Sequence, residues 1–181
     1  MPDISRPPKL DIKQAAHAAE SLSGSDLLCN YERLMQETKG LGANNALNWS
    51  TQIAAQADAL GKAQVWLHLQ VEVTLAQTCQ RCLQQMAITL KIARSFRFVA
   101  NESLAAEQDD ESEEDLLVAS RAFDLATLIE DEVLMDLPLV PRHDVCPIEL
   151  KLSSADADFD DNPTPPNRFA KLAQLNTSKQ N

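Results

Sequence analysis

The chain has 181 residues, a net charge of −11 at pH 7 and four cysteines. This length suits one domain with a sizeable core, and no apolar run is long enough to predict a membrane span. The excess of acids argues against a general nucleic-acid binder and favours basic proteins as partners, because phosphate affinity comes from clustered Lys and Arg. The N-terminus lacks the apolar centre of a secretion signal, so we expect a cytoplasmic protein.

Two short helices are predicted near the N-terminus. Residues 1–12 contain three prolines and predict an extended lead-in. The Ala-rich stretch 14–22 favours a helix that ends at Ser23-Gly24. Ser25 or Asp26 is suited to cap a second helix that passes through Met35 and ends near Gly40-Leu41-Gly42.

The central part of the chain alternates apolar and polar residues. This period of two is present over residues 47–57, 63–77 and 86–98, and short turns separate the three runs. The pattern predicts an antiparallel β-meander with one apolar face, and hence an α+β fold once helices cover that face. We expect residues 116–118 to return to the sheet as a short edge strand.

A helix that covers the apolar face is predicted within residues 123–146. Asp124 is a suitable N-cap, and an apolar stripe of helical period continues to about Leu137. Pro138 then ends the helix, and Pro141 keeps the following segment extended.

Two acids of this helix, Glu132 and Asp136, fall inside its apolar stripe. An unpaired carboxylate in a core costs several kcal/mol, so each needs a partner or solvent. They could lie at the edge of the stripe, or Glu132 could pair with Arg94, which interrupts the apolar face of the third strand. A catalytic pair is the third interpretation, but no nucleophile or shaped acid–base site accompanies it.

The residues best suited to chemistry are four candidate metal ligands. Cys79 and Cys82 form a CxxC motif between two predicted strands, and His143 and Cys146 follow the predicted helix. A Cys3His set suits tetrahedral zinc. Two unmetallated thiols and a redox dithiol are the alternatives, and the dithiol is disfavoured because the motif does not open a helix. With no phosphate-binding Gly loop, GxSxG or HExxH motif, we do not expect an enzyme.

Charge is distributed unevenly along the chain. Residues 102–115 carry eight acids and no base, which predicts an acidic loop over residues 100–115. Basic residues are concentrated just before it, on the third strand and in the CxxC motif. Arg81, Lys91 and Arg97 are therefore candidate contacts for a partner.

The C-terminal part of the chain differs in composition from the rest. We expect a single α+β domain over residues 1–152 and a flexible tail over residues 153–181. The tail contains a short amphipathic segment, residues 167–175. In this segment Phe169 and Leu172 either fold back on the core or bind a partner.

Three segments of the chain resemble the bacterial YceD family, the large ribosomal RNA subunit accumulation proteins. They are C-x-R-C between long strands, DLATLIEDEVLMDLPLVPRHDVC, and the closing NRFAKLAQL. The resemblance covers about residues 20 to 175 and implies a bacterial, cytoplasmic factor that supports the synthesis, processing or stability of large-subunit (23S) ribosomal RNA. The alternative is a zinc-binding or dithiol protein that acts as a chaperone or adaptor for a basic ribosomal protein.

The resemblance also implies partners and site residues. The partners are the pre-ribosomal large subunit, its rRNA or a basic ribosomal protein. No catalytic role accompanies the residues that match the family pattern. These residues are Cys79, Arg81, Cys82, Glu130, Asp131, Glu132, Pro138, Pro141, His143 and Cys146.

Overall fold

The computed structural model describes residues 6–57, 61–108, 112 and 114–149. The predictions for the tail 153–181, including Phe169 and Leu172, lie outside these residues. No helix of the described part is long and apolar enough to cross a membrane.

The described elements are short helices and strands of two to sixteen residues. In chain order they are β1 (Lys9–Leu10), α1 (Ile12–Ala18), β2 (Ser21–Leu27), a 3-10 turn (Leu28–Asn30), α2 (Glu32–Glu37), β3 (Ala46–Ala57), β4 (Ala63–Thr78), β5 (Gln85–Val99), α3 (Glu102–Gln108), β6 (Asp115–Val118), β7 (Phe123–Asp124) and α4 (Leu125–Met135).

Five strands form one sheet in the order β2-β3-β4-β5-β6. The first four are antiparallel neighbours, whereas β6 pairs in parallel with Phe96–Val99 at the end of β5. The strands β1 and β7 form a separate two-stranded ladder. The predicted α+β fold, its three-stranded meander and the return of residues 116–118 to the sheet are therefore confirmed.

One face of the sheet carries the core, as the alternating pattern predicts. The inward side chains of β3, β4 and β5 are buried together with side chains of α1, α2 and α4. Complete burial of one such aliphatic side chain contributes about 1.5–3 kcal/mol, so this face is the main source of stability. The buried strand residues include Leu47, Trp49, Ile53, Leu67, Leu69, Val71, Val73, Leu75, Leu90, Ile92, Phe96 and Phe98.

The helix α4 begins where its sequence predicts. The Asp124 carboxylate accepts a hydrogen bond from the Thr127 backbone N–H and so satisfies one of the free donors of the first turn. The helix ends at Met135, two residues before the predicted Leu137. Its buried residues are Leu125, Ala126, Leu128, Ile129, Glu132 and Val133.

The predicted N-terminal helices are wrong over residues 21–30. Residues 21–27 form β2, and Ser23-Gly24 lies inside this strand instead of breaking a helix. Gly24 is paired with Trp49, and a Cβ atom at Gly24 would lie 2.8 Å from Trp49 Cζ2. The glycine leaves room for the indole ring, and pairing with β3 overrides the local helix preference.

The acidic loop predicted over residues 100–115 contains a helix and the start of a strand, while its residues 109–111 and 113 lie outside the described part of the chain. Residues 102–108 form α3, and the Asn101 side chain caps it by accepting from the Leu104 backbone N–H. Asp115 already belongs to β6. A suitable cap and the Ala-rich centre of this stretch therefore outweigh its acidic composition.

Candidate metal centre

The two cysteine motifs meet at one end of the sheet. Cys79 and Cys82 lie in the turn of residues 79–84, which joins β4 to β5, and His143 and Cys146 lie beyond α4. The three Sγ atoms and a ring nitrogen of His143 all lie within 4.8 Å of one another. The four residues selected from the sequence are thus brought together, although about sixty residues separate the two pairs.

The arrangement of these four atoms fits a tetrahedral zinc ion. Zn–S bonds of about 2.3 Å and Zn–N bonds of about 2.0 Å place two sulfurs about 3.8 Å apart, and a sulfur and a nitrogen about 3.5 Å apart. Cys82 Sγ lies 3.3 Å from His143 Nδ1. Small shifts of the side chains would therefore bring all four atoms to bonding distance of one ion.

The turn of residues 79–84 is closed by two backbone hydrogen bonds. The Leu83 N–H donates to Cys79 O at 2.8 Å, and the Cys79 N–H donates to Gln84 O at 2.9 Å. Leu83 has φ +60°, a left-handed conformation that costs a residue with a side chain about 1 kcal/mol or more. This tight turn directs both cysteine side chains inward, where they are buried.

Backbone donors surround the sulfur of Cys79. Burial raises the pKa of this thiol, but the backbone N–H groups of His143, Cys82 and Arg81 together outweigh burial and lower the pKa to about 5. The His143 N–H lies 3.4 Å from the sulfur. Cys79 is therefore a thiolate at neutral pH, the form that binds metal ions.

The neighbouring thiol of Cys82 has the opposite electrostatic balance. Burial raises its pKa, and the nearby sulfurs of Cys79 and Cys146 raise it further, although the Gln84 backbone N–H opposes them. Thiolates that lie this close to one another repel, so it is unfavourable for several of the sulfurs to be charged at the same time. A bound cation would remove that repulsion, so the cluster is electrostatically suited to a metal.

Arg81 joins the two loops of the cluster. Its Nε donates to Cys146 Sγ at 3.2 Å, and its Nη2 donates to the carbonyl oxygens of His143 and Asp144 at 2.8 and 3.2 Å. The hydrogen bond that Arg81 donates to Cys146 raises the pKa of Arg81 above its usual range. Arg81 thus positions the second pair of ligands. The sequence analysis did not predict this role of Arg81. The position of Arg81 between the two cysteines was the feature that could have indicated it.

The two prolines after α4 have different environments. Pro141 is buried, and its carbonyl oxygen accepts from the Gln80 backbone N–H at 2.8 Å. Pro138 is exposed and follows the end of the helix. Pro141 therefore adds a further link between the second loop and the CxxC turn.

A comparison with protein families identifies the chain. The family model described as Large ribosomal RNA subunit accumulation protein YceD matches residues 67–176. The chain belongs to the YceD family. The matched region includes β5, α4 and all four candidate ligands. It begins at residue 67, whereas the sequence resemblance described above begins near residue 20. Searches of curated proteins and of solved structures found no match.

The YceD-type acidic motif of α4 forms ion pairs within the chain. Arg94 Nε lies 3.6 Å from Glu132 Oε2, which confirms the predicted pair. Burial raises the pKa of the Glu132 carboxyl; Arg94 opposes this shift, and Asp115 and Asp136 add to it. Asp136 itself is exposed, as the first interpretation of the stripe predicts.

Another acid of the YceD motif caps a helix outside the matched region. Glu130 Oε1 accepts from the backbone N–H groups of Arg33 and Leu34 at 2.8 and 3.3 Å. The N-cap of α2, Tyr31, provides no such side-chain bond. Arg33 in turn donates to Glu130 and Asp131. These acids therefore connect α4 to α2, a role for which the sequence holds no local signal.

The cations that the sequence suggests as partner contacts are not clustered. Lys91 is exposed and lies 3.2 Å from Glu72. Arg97 is only 12% exposed, lies 3.4 Å from Glu114, and also donates to Gln108 and Ser112. Because strands rise about 3.3 Å per residue, Lys91 and Arg97 are roughly 20 Å apart. Binding of a partner by Arg81, Lys91 or Arg97 stays a prediction.

Proposed function

We propose that this YceD-family protein is a non-enzymatic factor that supports the synthesis, processing or stability of large-subunit (23S) ribosomal RNA in the bacterial cytoplasm. The family match over residues 67–176 carries the proposal, since the family is named for accumulation of the large ribosomal RNA subunit. The proposed partners are the pre-ribosomal large subunit, its rRNA or a basic ribosomal protein. The net charge of −11 favours the protein partner.

We further propose that the Cys3His cluster binds one structural zinc ion. Four protein ligands complete a tetrahedral zinc site and leave no position for a reactive water, which is typical of structural sites and not of catalytic ones. The ligands would be Cys79, Cys82, His143 and Cys146. The ion would join the β4–β5 turn to the loop after α4 and so fix the shape of this end of the molecule.

The cellular proposal is tested by deleting the gene in its bacterial host and measuring the ratio of large- to small-subunit rRNA. We expect the ratio to fall on deletion and to recover when the wild-type gene is restored. An unchanged ratio in the deletion strain, at normal and at reduced growth temperature, would contradict the proposed function.

The zinc proposal is tested by measuring the metal content of protein purified without chelator. We expect about one equivalent of zinc in the wild-type protein and about a tenth or less in Cys82→Ser, because loss of one thiolate opens the ligand set. Cys29→Ser is the matched control, since Cys29 is exposed and is not one of the four clustered ligands. A wild-type protein that holds less than about a tenth of an equivalent would rule out the site.

A further inference from the structure

The strand β5 has a long unpaired outer edge. On its inner side β5 pairs with β4 from Gln85 to Phe98, but on its outer side β6 pairs only with Phe96–Val99. Within the described part of the chain, no strand pairs with the outer side of residues 85–95. The backbone groups along that side are therefore available to an additional strand.

The outer edge of β5 is regular, and its only two charged residues, Lys91 and Arg94, are both ion-paired. Residues 85–95 contain no proline, and their register with β4 runs without a bulge. Their charged side chains are already engaged, since Lys91 pairs with Glu72 and Arg94 with Glu132. A regular edge of this length, about 35 Å, that no described strand covers is long enough to accept an added strand, and this favours a natural binding partner.

Exposed apolar side chains are concentrated next to the same edge. Seven large apolar residues are exposed in the described part of the chain, and six of them lie in the β4–β5 turn or in the segment that follows the middle of α4. Leu139 is fully exposed, and Val145 is 85% exposed. We call these six residues the apolar patch: Leu83, Met135, Leu139, Val140, Val145 and Ile148.

The contacts of the surrounding segments place the apolar patch beside β5. The Glu132–Arg94 pair joins α4 to the middle of β5, and the hydrogen bond from Gln80 to Pro141 joins the later segment to the turn before β5. The chain between these two points must therefore follow β5 from its middle to its beginning. A clustered apolar surface of this kind is typical of a protein-binding site.

The charges near the apolar patch indicate the charge of the partner. Asp115, Asp136 and Asp144 are exposed, and the first two lie close enough to Glu132 to influence its carboxyl group. Arg142 is an exposed base in the same segment, while Arg81 and Arg94 are engaged in the contacts described above. The surface is thus acidic on balance, as is the whole chain, and complements Lys and Arg side chains.

We propose that the outer edge of β5 and the apolar patch together bind an extended segment of a basic protein as an added strand. Main-chain hydrogen bonds to residues 85–95 would supply affinity. Apolar side chains of the partner would contact the patch, and its Lys or Arg side chains would face the acids. The proposal rests on the proposed function only for the expectation that the partner belongs to the large ribosomal subunit.

Binding is tested with a synthetic ten-residue peptide that alternates Lys and Val, added to the full-length protein labelled with nitrogen-15. We expect amide chemical-shift changes concentrated at residues 85–95 and 139–145. A second peptide carries Pro at one central Val and at the adjacent Lys, with an extra Lys at its end to keep the charge. One of the two missing N–H groups then faces β5 in either register, so its Kd should rise about tenfold. Shifts spread over all acidic surfaces, or equal binding of both peptides, would show mere charge attraction and overturn the proposal.

The apolar patch is tested with the double variant Leu139→Ser/Val140→Ser. Both side chains are exposed, so folding should be unaffected, while the Kd for the Lys/Val peptide should rise about tenfold. Leu41→Ser is the matched control, because among the described residues Leu41 is the large exposed apolar residue that lies outside the patch, in the loop before β3. It should change the Kd by less than about twofold. Equal effects of the two changes would overturn the proposal.

Self-association provides the competing outcome. A protein that dimerises through residues 85–95, detected by sedimentation together with the same amide shifts in the absence of peptide, would assign the edge to a second copy and overturn the proposal. None of these experiments measures the amount of rRNA. Failure of the docking surface is therefore distinguishable from failure of the proposed function.

Discussion

The buried face of the sheet and the Cys/His end of the molecule are stabilised by different interactions. On the sheet, side chains such as Leu67 and Leu69 are at most 1% exposed and contribute by apolar burial alone. At the Cys/His end, hydrogen bonds from Arg81 and from backbone N–H groups join two loops that leave several apolar side chains in solvent. The first region should therefore fold without a ligand, whereas the order of the second depends on what its thiols bind.

The largest expected loss of stability comes from the sheet. We expect Leu69→Ala to lower the free energy of unfolding by about 2–5 kcal/mol, because it removes a buried side chain from a central strand and leaves a cavity. Val140→Ala, at a residue 61% exposed, should change it by less than about 0.5 kcal/mol. Urea denaturation measures both. Similar losses in the two variants would mean that the two regions do not differ in this way.

Removal of the proposed zinc ion should act locally. We expect treatment of the wild-type protein with a zinc chelator to speed amide hydrogen exchange in residues 79–84 and 141–146 about tenfold or more, with little change in β3 and β4. Cys29→Ser treated in the same way is the control and should respond like the wild type. A uniform increase across the whole sheet would show that the Cys/His end supports the global fold.

Loss of the helix cap should have an intermediate effect. Glu130→Ala removes the acceptor for the Arg33 and Leu34 N–H groups and should lower the free energy of unfolding by about 1 kcal/mol, the usual value of a cap. Glu130→Gln keeps a side-chain oxygen at this position and should lose less. If the two variants are equally stable in urea, the acceptor oxygen is not what connects α2 to α4.

The smallest expected effect is a pH dependence at Glu132. Its pKa in the folded protein lies above the ordinary value of 4.5, so between these two values the folded state binds more protons than the unfolded state. This contribution to stability is present at lower pH and is lost as pH rises through the window. The free energy of unfolding of the wild type minus that of Glu132→Gln should therefore fall from pH 4.5 upward, as measured by urea denaturation at several pH values. A difference that grows would mean that Arg94 outweighs burial.

Periodicity predicted those elements whose structure follows from the local chain. Apolar and polar residues alternate along the three long strands, and α4 combines an apolar stripe of helical period with the N-cap Asp124. Each of these patterns is compatible with only one type of secondary structure. The Glu132–Arg94 pair was also accessible, because each charge interrupts an apolar face. The Cys3His set was found from spacing, since ligand types are few and distinctive.

The remaining features depend on partners far away in the chain. Residues 21–27 are helix-compatible by themselves and become a strand because β3 provides a ladder and Trp49 requires a glycine opposite to it. The cap that Glu130 supplies to α2 bridges about a hundred positions, and no local pattern indicates it. Arg81 has a local signal in its position between Cys79 and Cys82, but its acceptors belong to a distant loop that its own neighbours do not specify.

The connection between β4 and β5 has a length that two independent requirements fix. Thr78 is paired with Gln85, and this pairing decides which side chains of β5 reach the interior. One residue inserted or deleted between Cys79 and Cys82 would separate the two thiols or crowd them, and, if the turn kept its shape, it would also send alternate side chains of β5 to the opposite face. Variation in loop length, which most surface turns absorb, should therefore be absent from functional versions of this hairpin.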